Sequence, residues 1–254
     1  MEKWNKKVAV VTGANSGLGH AVLKKLAQSG LKAVGFDIET DAIEKLKDEL
    51  KGVEIHSQKC DVTKDESVGA AFEWVEKTLG GVDVLVNTAR TYRNIGVLDY
   101  DQPVSELAYN VEVDFLGAIR CARLAFKSME TRDVNGYIIN INSNFSNHLT
   151  PMKNIELGVY SGACSALNTT SNVMRMELNS LKNRKVRIAN LNLGVVKNTN
   201  IFKIARVSAD AEKALYTNPV LEPEDIEETI AFLLTLPYGV NVSDMTVRAT
   251  GADI

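Results

Sequence analysis

The sequence predicts an α/β fold, a parallel sheet wound on both faces by helices, and three observations carry that expectation. Short β-branched runs recur at 8–11, 33–36, 53–57, 82–86, 137–141, 186–191 and 245–247. Stretches with apolar residues at i, i+3 and i+4 lie between them, at 18–28, 42–50, 68–79, 104–129, 159–181 and 223–236. Prolines number only 5 in 254 residues, which disfavours a loop-dominated β fold. Strand–helix alternation of this kind calls for seven parallel strands, because right-handed crossovers place helices on both faces.

The elements follow in order. Val22, Leu23, Leu26 and Ala27 form one face of the first helix. In the 159–181 stretch, Ala163, Ala166, Leu167, Thr170, Val173, Met174, Leu178 and Leu181 predict a buried stripe. The acidic stretches 41–49 and 222–228 predict solvated faces and partners for helix N-termini. The segment 195–220 is helical enough for a cover over the sheet, with Ile201, Phe202, Ile204, Val207, Leu215 and Tyr216 as its apolar underside. No repeat or flexible linker divides the chain, so residues 1–254 are expected to form a single domain.

Composition excludes several functions. Hydrophobic residues make up 45% and charged residues 24%, as in ordinary globular proteins, and the net charge is −3. That balance gives no footprint for nucleic acid and no strong attraction to anionic lipid. Cys60, Cys121 and Cys164 are far apart and lack CxxC spacing, so neither a disulfide framework nor a metal site is expected. The apolar run before Thr12-Gly13 is too short for a signal-peptide core, and no stretch reaches a membrane span. A reducing, cytoplasmic setting is the expectation.

The first strand ends in a glycine turn, Val10-Val11-Thr12-Gly13-Ala14-Asn15-Ser16-Gly17-Leu18-Gly19. GxxxGxG between a strand and an amphipathic helix gives a tight turn, close backbone approach to a pyrophosphate, and a helix N-terminus aimed at the anion. This predicts a Rossmann-type dinucleotide site at Gly13, Asn15, Ser16, Gly17, Leu18 and Gly19. The second strand ends at Asp37, which can accept both ribose hydroxyls of NAD. Glu39 adds charge, and no Lys or Arg lies between residues 33 and 44, so NAD is favoured over NADP.

With these glycines, further segments resemble the short-chain dehydrogenase/reductase family along nearly the whole chain. They are Cys60-Asp61-Val62-Thr63, Asp83-Val84-Leu85-Val86-Asn87, Ile139-Asn140-Ile141-Asn142-Ser143 and Tyr160 at a helix start. Phe72-Glu73-Trp74-Val75, Arg123-Leu124-Ala125-Phe126-Lys127-Ser128-Met129 and Met245-Thr246-Val247-Arg248 look most like the farnesol-dehydrogenase-like branch known from insects. The resemblance implies a homo-oligomer, dimer or tetramer, joined through helices 104–129 and 159–181. It also implies oxidation of secondary or allylic alcohols, or carbonyl reduction, with a nicotinamide cofactor touching Asp61, Val62 and Asn87.

The family's catalytic set is Asn, Ser, Tyr and Lys. Tyr is the general acid/base, Ser polarises the substrate oxygen, Lys lowers the Tyr pKa and holds the ribose, and Asn positions a relay water. Ser143 and Tyr160 match. The lysine position holds Cys164, the asparagine position Asp114, the glycine of Asn-Asn-Ala-Gly is Arg90, and the proline of Pro-Gly is Leu193. A free tyrosine has a pKa of about 10, and a neutral thiol gives no field to lower it. An ionised Asp114 near Tyr160 would raise it further. Arg90 either blocks the dinucleotide or forks onto its pyrophosphate. The missing cation has candidate substitutes in Lys182, Arg184, Lys185, Lys197 and Arg90. Cys164 is either a substitute catalyst one helical turn from Tyr160 or a small buried residue. His148 and the amides Asn140, Asn142, Asn144, Asn147 and Asn154 either contact ligand or suit a loop.

Two functions follow. One is a family member with impaired or lost oxidoreductase chemistry that binds a dinucleotide, a hydrophobic small molecule, or both. The other is a working NAD-dependent alcohol dehydrogenase or carbonyl reductase using Ser143 and Tyr160. The first is preferred, because the losses coincide at one surface while the glycines survive.

Overall fold

The computed structural model of the chain describes residues 1–147, 149 and 155–252. His148 and Asn154 lie outside them. The strands are β1 (Val8–Thr12), β2 (Lys32–Asp37), β3 (Ile55–Lys59), β4 (Val84–Asn87), β5 (Gly136–Ser143), β6 (Val186–Leu193) and β7 (Asp244–Val247). All pair in parallel, in the order β3-β2-β1-β4-β5-β6-β7. The chain runs outward from β1 to β3, then returns to lay β4 on the other side of β1. At that reversal the loops leaving β1 and β4 diverge, which opens a crevice beyond the strands' C-terminal ends.

The helices are α1 (Gly17–Gln28), α2 (Asp41–Glu49), α3 (Asp65–Leu79), α4 (Val104–Val111), α5 (Ala118–Thr131), α6 (Tyr160–Ser180), α7 (Ile201–Ile204), α8 (Ala209–Leu215) and α9 (Pro223–Thr235). Strand residues alternate between two cores. Ala9 and Val11 join Val22, Leu23, Leu26, Ile226 and Ile230 of α1 and α9 on one face. Val8 and Val10 join Phe72, Val75, Cys121, Ala125 and Leu178 of α3, α5 and α6 on the other. Strands buried on both sides are why the sequence shows continuous apolar runs instead of alternation.

Three expectations are refined. The 104–129 stretch is α4 and α5 joined by a π-helical turn, Glu112–Gly117, and that wider turn leaves Asp114 fully inside. The α6 stripe is buried at Ala163, Leu167 and Leu178, but Val173 and Leu181 are exposed, because α6 carries more apolar width than the sheet covers. The helical character expected after β6 resolves into two short helices, α7 and α8. Among the described residues, no helix is long and apolar enough to cross a membrane.

Candidate active site

A cleft of about 440 Å³ opens at the switch point. Its floor is the glycine turn. Gly13 has φ +66°, a left-handed conformation, and a Cβ there would lie 2.8 Å from Ala89 Cα. A Cβ on Gly19 would overlap the Gly13 carbonyl oxygen, so only glycine lets α1 start this close to β1. Thr12 ties the turn to β4, its Oγ1 accepting from the Thr88 and Ala89 N–H groups at 3.1 Å each. Asp37 lies on the wall, accepting from the Asn15 N–H at 2.9 Å and the Glu39 N–H at 3.3 Å. Among the described residues no basic side chain pairs with it. The glycine turn, where no side chain stands between backbone and cleft, and the Asp37 carboxylate, without a cation beside it, fit the pyrophosphate and adenosine ribose of a dinucleotide.

The other end of the cleft is lined by Ser143, Asn144, Phe145, Ile155, Tyr160, Ile201, Phe202 and Ile204. Ser143 ends β5, and its Oγ accepts the Phe145 N–H at 3.2 Å, capping the short turn that follows. Tyr160 opens α6 and lines the cleft together with Ser143. Its ring meets Tyr92 edge to face at 5.4 Å, and Tyr92 is anchored by a 2.7 Å bond from its hydroxyl to the Glu156 carbonyl.

Behind Tyr160 is a buried polar cluster. Arg90 enters from the loop after β4, its Nε and Nη2 donating to the Ile141 carbonyl at 3.1 and 2.9 Å and Nη2 also to Asn142. Nη1 lies 3.7 Å from Cys164 Sγ and 3.9 Å from Asp114 Oδ2. The guanidinium carbon is 6.0 Å from the centre of the Tyr160 ring. Asp114 Oδ1 accepts the Thr91 N–H at 2.7 Å.

These neighbours set the charges. Burial pushes the Tyr160 phenol well up, the Cys164 thiol adds to the rise, Arg90 opposes it, and Asp114 raises it again. Burial likewise raises Cys164. Asp114 is pushed up to about 7 by burial, against the pull of Arg90 and the Thr91 N–H. Burial disfavours the Arg90 charge, but Cys164 and Asp114 together hold its pKa above the ordinary arginine value. Tyr160 is therefore protonated at neutral pH, a proton donor far more readily than a base.

Of the expected residues, Gly13, Ser16, Gly17, Leu18, Gly19, Asp37, Asp61, Val62, Arg90, Ser143 and Tyr160 line the cleft. Asn15 does not. Its Oδ1 accepts the Ala42 and Ile43 N–H groups and so caps α2. Asn87 is buried, donating to the Asn140 side chain and the Ala118 carbonyl. Asp114 and Cys164 are buried behind Tyr160, off the cleft surface. Asn140 is likewise interior, whereas Asn142 and Asn144 line the cleft. Arg90 points at β5 and α6, not toward the glycine turn. Lys185 and Lys197 pair with Asp133 and Glu222 instead of approaching Tyr160. Sequence reasoning missed Tyr92, whose only signal is an aromatic in an otherwise polar loop.

Residues 7–209 match the short chain dehydrogenase family. Over 99% of its length and 99% of the relative's, the chain is 34% identical to a farnesol dehydrogenase of Aedes aegypti. The chain belongs to the short-chain dehydrogenase/reductase family. A second family relative, dehydrogenase/reductase SDR family member 11 of Homo sapiens, is 31% identical over 98% of this chain and 96% of that one. Among solved structures of the family, an alcohol dehydrogenase of the archaeon Thermococcus sibiricus complexed with 5-hydroxy-NADP is 28% identical. Its TM-score is 0.81, over 98% of both chains. The seven-stranded parallel sheet flanked by helices is this family's Rossmann-type fold.

Proposed function

We infer that the protein binds NAD together with a hydrophobic alcohol or ketone, and that its oxidoreductase step is attenuated at neutral pH. One observation carries this reading. The cation beside Tyr160 is not a free ammonium but Arg90, which a buried carboxylate accompanies at 3.9 Å. Asp37, unpaired at the end of β2, favours NAD, since a 2′-phosphate there would meet like charge. Bound in the cleft, the nicotinamide would accept or donate the hydride. Ser143 orients the substrate oxygen, and Tyr160 moves its proton. Asp61 and Val62 flank the adenosine end, and segment 195–220 acts as the substrate-side lid through Ile201, Phe202 and Ile204. Leu193 and Val196 continue that apolar wall, which suits an isoprenoid alcohol of the kind the Aedes aegypti relative is named for. Cytoplasmic placement and a homo-oligomer joined through α4, α5 and α6 complete the proposal.

A second reading, an efficient dehydrogenase, is favoured by the approach of the Arg90 guanidinium to the Tyr160 ring. NADH titration by fluorescence, followed by turnover on farnesol and a panel of secondary alcohols, separates the two. The expected result is saturable NADH binding with turnover well below the common enzyme rate of about 10 s⁻¹. Turnover at that rate favours the second reading, and absence of NADH binding overturns both.

A further inference from the structure

The Arg90–Asp114 pair has a geometry that a purely structural ion pair does not need. Asp114 is fully buried, yet only Oδ1 is well bonded, to the Thr91 N–H. Oδ2 has no hydrogen-bond partner and looks toward Arg90 from 3.9 Å. Leaving a buried carboxylate oxygen unbonded is costly, so the Arg90 charge is what makes ionisation of Asp114 tolerable. The same guanidinium faces the Tyr160 ring, which bears the hydroxyl whose ionisation also needs a cation. One cation thus stands between two acids.

We propose that Asp114 is a positioning residue that restrains this protein's oxidation of alcohols by engaging the Arg90 charge that would otherwise stabilise the Tyr160 phenolate. The proposal rests on the oxidoreductase reading above. The groups facing the Asp114 carboxylate are Arg90 from the β4 loop, Tyr160 and Cys164 from α6, the Asn110 amide from α4 and the Thr91 N–H. Arg90 is the one cation among them. At short range in a dry interior, a carboxylate beside a guanidinium cancels most of its field at a third group.

The electrostatics has a definite pH signature. Burial raises Asp114 to about 7. Below that pH the carboxyl is neutral, Arg90 is available to Tyr160, and the ionised fraction of Tyr160 climbs with pH as for any acid. Above it, Asp114 and Tyr160 hold one proton between them. Forming the phenolate then requires Asp114 to take that proton back, and the share of molecules with an ionised Tyr160 stops rising with pH. The restraint is therefore absent in mild acid and grows with pH.

The test is alcohol oxidation by the full chain with saturating NAD from about pH 6 to about pH 9, for wild type, Asp114→Asn, Arg90→Gln and the double variant. NADH binding is followed separately by fluorescence. The rate ratio of Asp114→Asn to wild type is expected to be near one at about pH 6 and to rise by about tenfold per pH unit above about pH 7, the slope of one proton. In the Arg90→Gln background the ratio stays flat. A gain independent of pH, or one that survives without Arg90, overturns the proposal, because Asp114 would then act on something other than that cation. The unaltered protein gives a second reading that needs no variant to fold. Its oxidation rate levels off above about pH 7, and a continued rise to pH 9 overturns the proposal too. Retained NADH binding without these effects sinks only the restraint. Loss of NADH binding by wild type sinks the functional reading beneath it.

Discussion

Tyr160 stands where a short-range balance of charges decides what its hydroxyl does. Burial, the Cys164 thiol and Asp114 keep it protonated, and Arg90, with a smaller pull from Ser143, acts the other way. If it carries the proton transfer, Tyr160→Phe lowers turnover by about 10²–10⁴-fold with NADH affinity unchanged, measured as kcat beside a fluorescence titration. The thiols give a second outcome. Burial pushes Cys60 up to about 12 and raises Cys121 and Cys164 as well, so all three stay protonated at neutral pH. Native protein is expected to react with iodoacetamide only as fast as it opens, and rapid labelling of Cys164 would revive it as a substitute catalyst. Asp114 supplies a third. Its folded pKa of about 7 exceeds the ordinary 3.8, so the folded protein keeps a proton that the unfolded chain releases. Stability therefore falls as pH rises from about 4 to about 7 and is level above that, and Asp114→Asn removes the slope in urea melts.

The β1–α1 turn is the element on which the proposed cofactor binding depends. Gly19→Ala pushes a methyl into the Gly13 carbonyl oxygen, which neither backbone can yield cheaply. A loss of about 1–3 kcal/mol in urea-melt stability is expected, with NADH affinity falling alongside. The glycine spacing was legible because a strand, a turn and a helix share one stretch of sequence. The π-helical turn at Glu112–Gly117 was not, since the apolar period continues through it and only packing against the β4 loop selects the wider turn. Asn15 shows the same limit from the other side. It sits within the glycine turn, but its side chain meets the α2 N-terminus, which the sequence places many residues away.

Across the whole molecule, the exposed residues of α6 have a consequence. Val173 and Met176 lie one turn apart on it, 45% and 67% exposed, on the side away from the sheet. Self-association through α6 is expected to cover them, and Val173→Glu with Met176→Glu should shift light-scattering mass to that of one chain. An unchanged mass would remove α6 from the contact. The order of the strands was legible as a class from alternating periods, and the switch point follows from the parallel crossovers. Which residues meet above it was only partly legible. Ser143, Tyr160 and the glycines carry local motifs, whereas Tyr92 and the polar cluster behind Tyr160 do not.

The sequence by itself determined the alternation of strand and helix, the glycine turn, the acid at the end of β2 and the absence of lysine one turn after Tyr160. Each is a property of neighbouring residues, where spacing alone fixes geometry. Only the tertiary structure decided which cation lies beside Tyr160. Five basic residues were open candidates, and parallel pairing of β4 with β5 brings Arg90 over Ile141 and Asn142 while Lys185 and Lys197 are drawn to surface acids. It also decided that Asp114 accompanies Arg90 inside the protein. Charge acts through space over a few ångströms, and residues so far apart in sequence acquire such distances only when the sheet is assembled.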